Sequence, residues 1–167
     1  MKDVMEAVGA FHEQMGFPIN GRLKEDTARG SVITNQQLDA LHKSLSFQAS
    51  SIFELACQES AVGDRRMMRM HLMLEELSEL AVGLKEHDEV AVADAIGDLT
   101  YVVAGTGIVY GLPMETVFNE IQRSNMTKTG GGFHPKGDDY SPPNIQRAID
   151  EGRVKEDWCS DDQVELG

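Results

Sequence analysis

The chain has 167 residues, which is enough for one domain with a moderate core and too few for two independent domains. Hydrophobic residues make up 41% of it and aromatic residues 6%, which favours helical packing over a β-sandwich. The formal net charge of −13 offers no basic excess to replace counterions, so nucleic acid binding is not expected and a polyanionic ligand would need metal ions as mediators.

The cysteines and the N-terminus indicate where the protein is located. Cys57 and Cys159 are far apart in sequence and form no CxxC motif, so reduced, unpaired thiols are expected. Residues 1–16 mix charged and apolar side chains without the uninterrupted apolar segment of a signal peptide. No stretch has the roughly 20 apolar residues of a membrane span. We therefore expect a cytoplasmic protein without a membrane partner.

The first half of the chain predicts two helices. Apolar residues recur at steps of three and four from Asp3 to Met15, as in an amphipathic helix. Residues 19–34 are polar and without period, and indicate a loop or an insertion. Asn35 is the predicted N-cap of a helix that runs from Gln36 through Leu45 and on towards Cys57, with residues 46–51 as a candidate break.

The second half contains the strongest helical patterns. A helix that opens at Asp64 is predicted to bury an apolar stripe formed by Met67, Met70, Leu74, Leu77, Ala81 and Leu84. The next helix, from Val90 to about Tyr110, is apolar on most sides, which predicts a place at the centre of a bundle. Pro113 precedes a further helix over 114–123. The sequence after Thr129 is rich in Gly and Pro and predicts a loop or short hairpin with an acidic end.

The predicted fold is therefore all-α, a bundle of four to five helices with an irregular C-terminal tail. We expect one domain over residues 1–143, with a long segment at 19–63, and a tail over 144–167.

Acidic residues on the two central helices are the most informative feature. Glu75, Glu76 and Glu79 share one helix face, where like charges repel unless a cation lies between them. Asp94 and Asp98 are four residues apart in an otherwise apolar helix, and a buried, unpaired carboxylate is costly. Together the two sets predict a polar, metal-binding site inside the bundle.

Two structural alternatives remain open for these acids. The three glutamates could simply form a solvated helix face. The two aspartates could cap a helix or pair with an arginine such as Arg65, Arg66 or Arg69.

These residues resemble the MazG-like branch of the all-α NTP pyrophosphatase superfamily, which also holds phosphoribosyl-ATP pyrophosphohydrolase and the dimeric dUTPases. Its ExxE pair is matched by Glu76 and Glu79, preceded by Glu75, and the final Asp of its ExxD pair by Asp98. Ala95 stands where the family has the Glu of ExxD, and Asp94 is the candidate substitute. The segment from Arg123 to Lys128 resembles the end of the third helix of a MazG-like subgroup.

The resemblance implies an Mg²⁺-dependent enzyme, with Mn²⁺ as a possible substitute, that hydrolyses nucleoside triphosphates to a monophosphate and pyrophosphate. Its metal ligands would be Glu75, Glu76, Glu79, Asp94 and Asp98, with Glu76, Glu79 and Asp98 directly catalytic. Its members form homodimers or homotetramers, so a homo-oligomer is expected here. A water molecule that gives its proton to one of the glutamates would attack the α-phosphorus.

Four further side chains are candidates for substrate binding. Arg123 and Lys128 would pair with phosphate and Asn125 with sugar or base, while Tyr101 would line the pocket. The alternatives are a helix C-cap for Arg123, a turn residue for Asn125 and core packing for Tyr101. His71, four residues before Glu75, is predicted to form a helix-surface pair rather than to bind Mg²⁺, which prefers oxygen.

A second functional class remains open, because Ala95 leaves the ExxD motif incomplete. The chain could be a non-catalytic helical module that binds a nucleotide or a partner and has lost part of its metal site. A di-iron bundle is disfavoured, because neither acidic helix has a Glu-x-x-His motif. The sequence does not specify the base or the sugar of the substrate.

Overall fold

A computed structural model describes residues 1–17, 19, 34–58, 65–129 and 136–155, without the side chains of 154 and 155. Every regular element in these residues is an α-helix, and no strand occurs among them, which confirms the all-α prediction. The helices are α1 (Lys2–Met15), α2 (Asn35–Ala56), α3 (Arg65–Glu86), α4 (Glu89–Val109), α5 (Met114–Asn125) and α6 (Ile145–Lys155). They form two compact units, one with α1, α5 and α6 and the other with α2, α3 and α4.

Helix α2 differs from its prediction at two points. Its N-cap is Thr34, not Asn35, because the Thr34 hydroxyl accepts from the Gln37 backbone N–H while the Gln37 side chain accepts from the Thr34 N–H at 2.8 Å. The helix also continues unbroken through residues 46–51. The hydroxyls of Ser50 and Ser51 donate to the backbone carbonyls four residues earlier, so their hydrogen bonds are made within the helix and do not interrupt it.

Helices α2 and α3 pack closely along a face that is partly polar. Ala49 of α2 and Ala81 of α3 are buried. Between them the Ser78 hydroxyl forms hydrogen bonds with Nδ1 of His42 (2.8 Å) and with the Ser46 hydroxyl (2.7 Å). The predicted buried stripe of α3 is therefore only partly correct. Met70 and Leu77 are 49% and 38% exposed, because the side that faces α2 runs through Ser78 and Ala81 instead.

The prediction that α4 lies at the centre of a bundle is wrong for the single chain. Ala95, Val102 and Gly107 are its buried residues, whereas Tyr101 is 80% and Ile108 77% exposed. By length and composition alone α4 could cross a membrane, contrary to our expectation, although core helices of soluble proteins pass the same test. An apolar surface of α4 is thus exposed among the described residues.

The C-terminal region contains a helix that the sequence pattern did not indicate. Helix α6 packs on α5 through Gly152, where a Cβ atom would lie 2.3 Å from the Cβ of Pro113 and from the hydroxyl of Thr116. The Thr116 hydroxyl donates to the carbonyl of Ala148 at 2.9 Å, and Ala148 is itself buried. Glycine is therefore required at 152 for the close approach of the two helices.

Candidate active site

The turn between α3 and α4 sets the register of the acidic residues. At Gly83 a Cβ atom would lie 3.0 Å from the backbone nitrogen of Val92, so the two helices approach closely beside the turn. Away from this turn, the described backbones of α3 and α4 have few close contacts with each other. Glu76 lies about two turns back from Gly83, and Asp98 lies a similar distance along α4, so the two acids face each other across the antiparallel pair.

Glu76 is at the centre of this acidic group. Its side chain is half-buried, and its Oε2 atom is buried without a hydrogen-bond partner in the part of the chain that is described. Burial raises the pKa of Glu76, and the negative charges of Glu79, Asp98, Glu75 and Asp94 raise it further, in that order. All five predicted metal ligands thus lie near enough to interact through the carboxylate of Glu76.

The other four acids are more exposed than predicted. Glu75 pairs with His71, whose Nε2 lies 3.1 Å from a Glu75 oxygen and whose Nδ1 donates to the carbonyl of Ala49. His71 is therefore the paired histidine that was expected. Asp94 and Asp98 are exposed, not buried, because no described helix of their unit covers that side of α4. Neither forms an ion pair with an arginine among the described residues, which removes that alternative.

Position 95 explains how the ExxD motif is altered. Ala95 is 2% exposed, so its side chain belongs to the packed side of α4. Asp94 is exposed together with Asp98, one turn apart on the acidic side. Asp94 is therefore the second acid on the exposed side of this helix, and its role as a ligand stays a prediction.

The acidic group suits a hard divalent cation by its chemistry. It offers only carboxylate oxygens, the ligands that Mg²⁺ prefers, and the unpartnered Oε2 of Glu76 would gain a partner. A cation would also reverse the repulsion that raises the pKa of Glu76. Among the described residues no group of three or more His, Cys, Asp or Glu side chains is placed to hold a metal ion, so the five acids remain predicted ligands.

Arg123 is tightly engaged in the unit of α1, α5 and α6. Its Nε and Nη2 donate to both oxygens of Glu120 at 2.8 and 2.9 Å, and its other bonds go to the Ser141 hydroxyl and the Pro142 carbonyl, each at 3.1 Å. The backbone N–H of Asn144 also donates to Glu120, at 2.7 Å. The observed contacts of Arg123 thus tie the segment before α6 to α5, and its phosphate role stays a prediction.

Sequence reasoning missed Glu120, which is the acid at the centre of this network. Its side chain is 6% exposed, and Arg147 of α6 reaches it at 3.3 Å. The signal available was the pair Glu120 and Arg123 at i,i+3 spacing, but such pairs are common on exposed helices, and the partner in α6 is distant in sequence.

Asn125 and Lys128 lie at the end of α5, where α1 supports them. The side chain of Gln14 donates to the carbonyls of Met126 and Lys128 at 3.1 and 2.9 Å. The Lys128 ammonium lies 5.6 Å from the centre of the Phe11 ring. Asn125 is half-buried and its side chain makes no hydrogen bond within the described residues, so its amide is available to a ligand.

The ion pairs of Glu120 predict an acid-sensitive unit. They lower the pKa of Glu120 from 4.5 to about 2, chiefly through Arg123 and the Asn144 N–H. A lowered folded-state pKa contributes stability above pH 4.5 that is lost as the pH falls from 4.5 towards 2. We expect Glu120→Gln to lower Tm at neutral pH, and the difference from the unsubstituted protein to shrink as the pH falls through this range.

Thermal melts followed by circular dichroism between neutral pH and pH 2 would measure this difference. Glu115→Gln is the matched control, because Glu115 lies on the same helix, is exposed and has no described partner. A Tm difference for Glu120→Gln that is constant across the pH range would contradict the assignment.

One family of known proteins matches the chain. The sequence model of the family Phosphoribosyl-ATP pyrophosphohydrolase matches residues 39–125, more than half of the chain, from within α2 to the end of α5. The match includes all five acids of the α3–α4 pair, whereas Lys128 and α6 lie beyond it. No curated protein and no solved structure matches. The chain therefore belongs to the phosphoribosyl-ATP pyrophosphohydrolase family of the MazG-like all-α NTP pyrophosphatase superfamily, and it is a hydrolase that acts on phosphoric anhydrides.

Proposed function

We propose that this protein hydrolyses nucleoside triphosphates, in the presence of Mg²⁺, between the α- and β-phosphates to a nucleoside monophosphate and pyrophosphate. Deoxynucleotides or non-standard nucleotides are the substrates that we favour, and the cytoplasm is the proposed location. The observation that carries the proposal is the half-buried Glu76, whose Oε2 has no partner among the described residues and which lies among four further acids in the region that the family model matches.

The acids of the α3–α4 pair have distinct proposed roles. Glu75, Glu76, Glu79, Asp94 and Asp98 would hold the divalent cation. When bound, Mg²⁺ neutralises phosphate oxygens and stabilises the charge of the leaving group. One of the glutamates would accept the proton of the attacking water. That water forms the new bond to the α-phosphorus, and the bond to the bridging oxygen of pyrophosphate breaks.

Three further side chains are proposed to contact the nucleotide. Lys128 would pair with phosphate, and the free amide of Asn125 would bond to the sugar or base. Tyr101 of α4 is exposed on the face of Asp94, which fits a pocket-lining ring and not the core-packing alternative. Gln14 would keep the backbone around Lys128 in position.

Pyrophosphate release tests the proposal directly. A panel of ribo- and deoxynucleoside triphosphates, extended to modified bases and to phosphoribosyl-ATP, is incubated with and without Mg²⁺ or Mn²⁺. We expect pyrophosphate and the monophosphate in equal amounts from at least one member, and only with metal. No release across the whole panel would instead support a non-catalytic binding module, the alternative that Ala95 leaves open.

We also propose that two copies of the chain associate through the exposed face of α4. Val90, Tyr101 and Ile108 recur on one side of the helix and are 78%, 80% and 77% exposed. Apolar surfaces of this kind mark an interaction site, and Asp94 on the same face would bring the acids of each copy to the interface. A homodimer, or a tetramer built from it, is therefore expected.

Light scattering after size exclusion measures this association. Tyr101→Glu places a charge at the centre of the face and should convert the oligomer to a monomer, whereas Phe47→Glu, at a 74% exposed position on α2, should not. An unsubstituted protein that is monomeric at all concentrations, or that sediments only with lipid vesicles, would overturn the proposed dimer.

A further inference from the structure

Arg69 lies in the groove between α3 and α4, on the side that bears the acids. A Cβ atom built on Gly105 would lie 3.1 Å from Nη1 of Arg69, so the guanidinium rests against the backbone of α4 where there is no side chain. A Cβ atom at 105 would require this guanidinium to shift by a few tenths of an ångström. Along the α3–α4 pair, Arg69 and Gly105 form one layer, which lies farther from the interhelical turn than the acidic layer of Glu76 and Asp98.

The spacing places this layer at a defined distance from the acids. Arg69 precedes Glu76 by seven residues, and Gly105 follows Asp98 by seven, so both lie about two turns, or roughly 10 Å, further from the interhelical turn. Because seven residues return a helix to nearly the same face, Arg69 is aligned with Glu76 and Gly105 with Asp98. The groove is thus acidic in one layer and cationic in the next.

Arg69 also has no partner among the described residues. In a chain with a net charge of −13, Arg123 and Arg147 both bond to Glu120, yet Arg69 forms no ion pair or hydrogen bond with any described residue. It is half-buried, so it is not simply a solvated surface cation. A guanidinium held in a groove with its N–H groups unused is suited to bidentate binding of phosphate.

We propose that Arg69 binds the terminal phosphates of the substrate, and pyrophosphate after cleavage. The inference rests on the proposed function, because it takes the layer of Glu76 and Asp98 as the point of attack at the α-phosphate. The β- and γ-phosphates then extend along the groove towards Arg69, while the nucleoside points the other way. Arg69 thus selects substrates by the number of their phosphates. It favours triphosphates over diphosphates and does not contact the base.

Pyrophosphate binding tests the proposal without turnover. Isothermal titration of pyrophosphate, with Mg²⁺ present, is compared for the unsubstituted protein, Arg69→Met, Arg69→Lys and the control Arg65→Met. Met keeps most of the apolar stem of Arg69, and Arg65 is an exposed arginine on the same helix. We expect affinity to fall about tenfold or more in Arg69→Met, less in Arg69→Lys and not at all in Arg65→Met.

Kinetics add a second readout. Arg69→Met should raise KM for triphosphates and weaken inhibition by pyrophosphate, with inhibition by nucleoside monophosphate unchanged. If the unsubstituted protein releases no pyrophosphate but still binds it through Arg69, the proposed function fails and the Arg69 site stands. Equal pyrophosphate affinity in the unsubstituted protein and Arg69→Met, or no binding by the unsubstituted protein, overturns the Arg69 site whatever the turnover.

Discussion

Replacing Glu79 or Asp98 with Ala should reduce pyrophosphate release about a thousandfold or more, because either change removes a carboxylate from the small set that can hold the cation. Both side chains are exposed, so the free energy of unfolding should change by only about 0.5 kcal/mol or less. Initial rates with the best substrate of the panel, together with circular dichroism melts, measure the two effects separately.

Glu86→Ala is the matched control for these variants. Glu86 is an exposed acid on the same helix, at its last residue and beyond Gly83, away from the acidic layer. It should retain the activity of the unsubstituted protein. Full activity in Glu79→Ala or Asp98→Ala would show that the acid in question has no part in the reaction.

Replacing Gly152 with Ala should separate α6 from α5. The new methyl group would lie 2.3 Å from the Cβ of Pro113 and from the Thr116 hydroxyl, far inside van der Waals contact. Pro113 is fully buried and its ring is rigid, so it cannot move aside as a flexible side chain would. Overpacking of this kind costs about 1–3 kcal/mol of the free energy of unfolding. Urea unfolding and limited proteolysis of the C-terminal region would measure the loss.

Gly9→Ala should have the opposite effect on the free energy of unfolding of the same unit. Gly9 lies inside α1, and a Cβ atom there would have no neighbour within 4 Å. Ala is preferred to Gly in a helix by about 0.8–1 kcal/mol, so this variant should be slightly more stable than the unsubstituted protein. A Gly152→Ala variant as stable as Gly9→Ala would contradict the close packing of α6 on α5.

The helices were largely predictable because their signals are local. Periodic apolar residues indicated α1, α3 and α4 to within a few residues, and Pro113 marked the start of α5. The N-cap of α2 was misplaced by one residue, because Thr34 and Asn35 are both good caps and only Thr34 has Gln37 three residues later. Helix α6 was missed, since its short, polar sequence depends on packing against α5.

Burial was harder to predict than secondary structure. An apolar helix such as α4 is expected to be covered, but the sequence does not specify whether the cover is another part of the same chain or a second copy. Asp94 and Asp98 were therefore predicted to be buried, whereas the described part of the chain leaves both exposed. Their position opposite Glu76 was nevertheless predictable, because helix periodicity and a short turn determine which faces meet.

Glu120 connects the region that the family model matches with the segment that follows this region. The carboxylate lies inside the 39–125 region that the family shares, while its partners Asn144 and Arg147 lie beyond that region. Helix α6 is therefore tied to the matched region by Glu120 as well as by the packing of Gly152 and the hydrogen bond from Thr116 to Ala148. A change at Glu120 would therefore act on α6, outside the region that the family model matches.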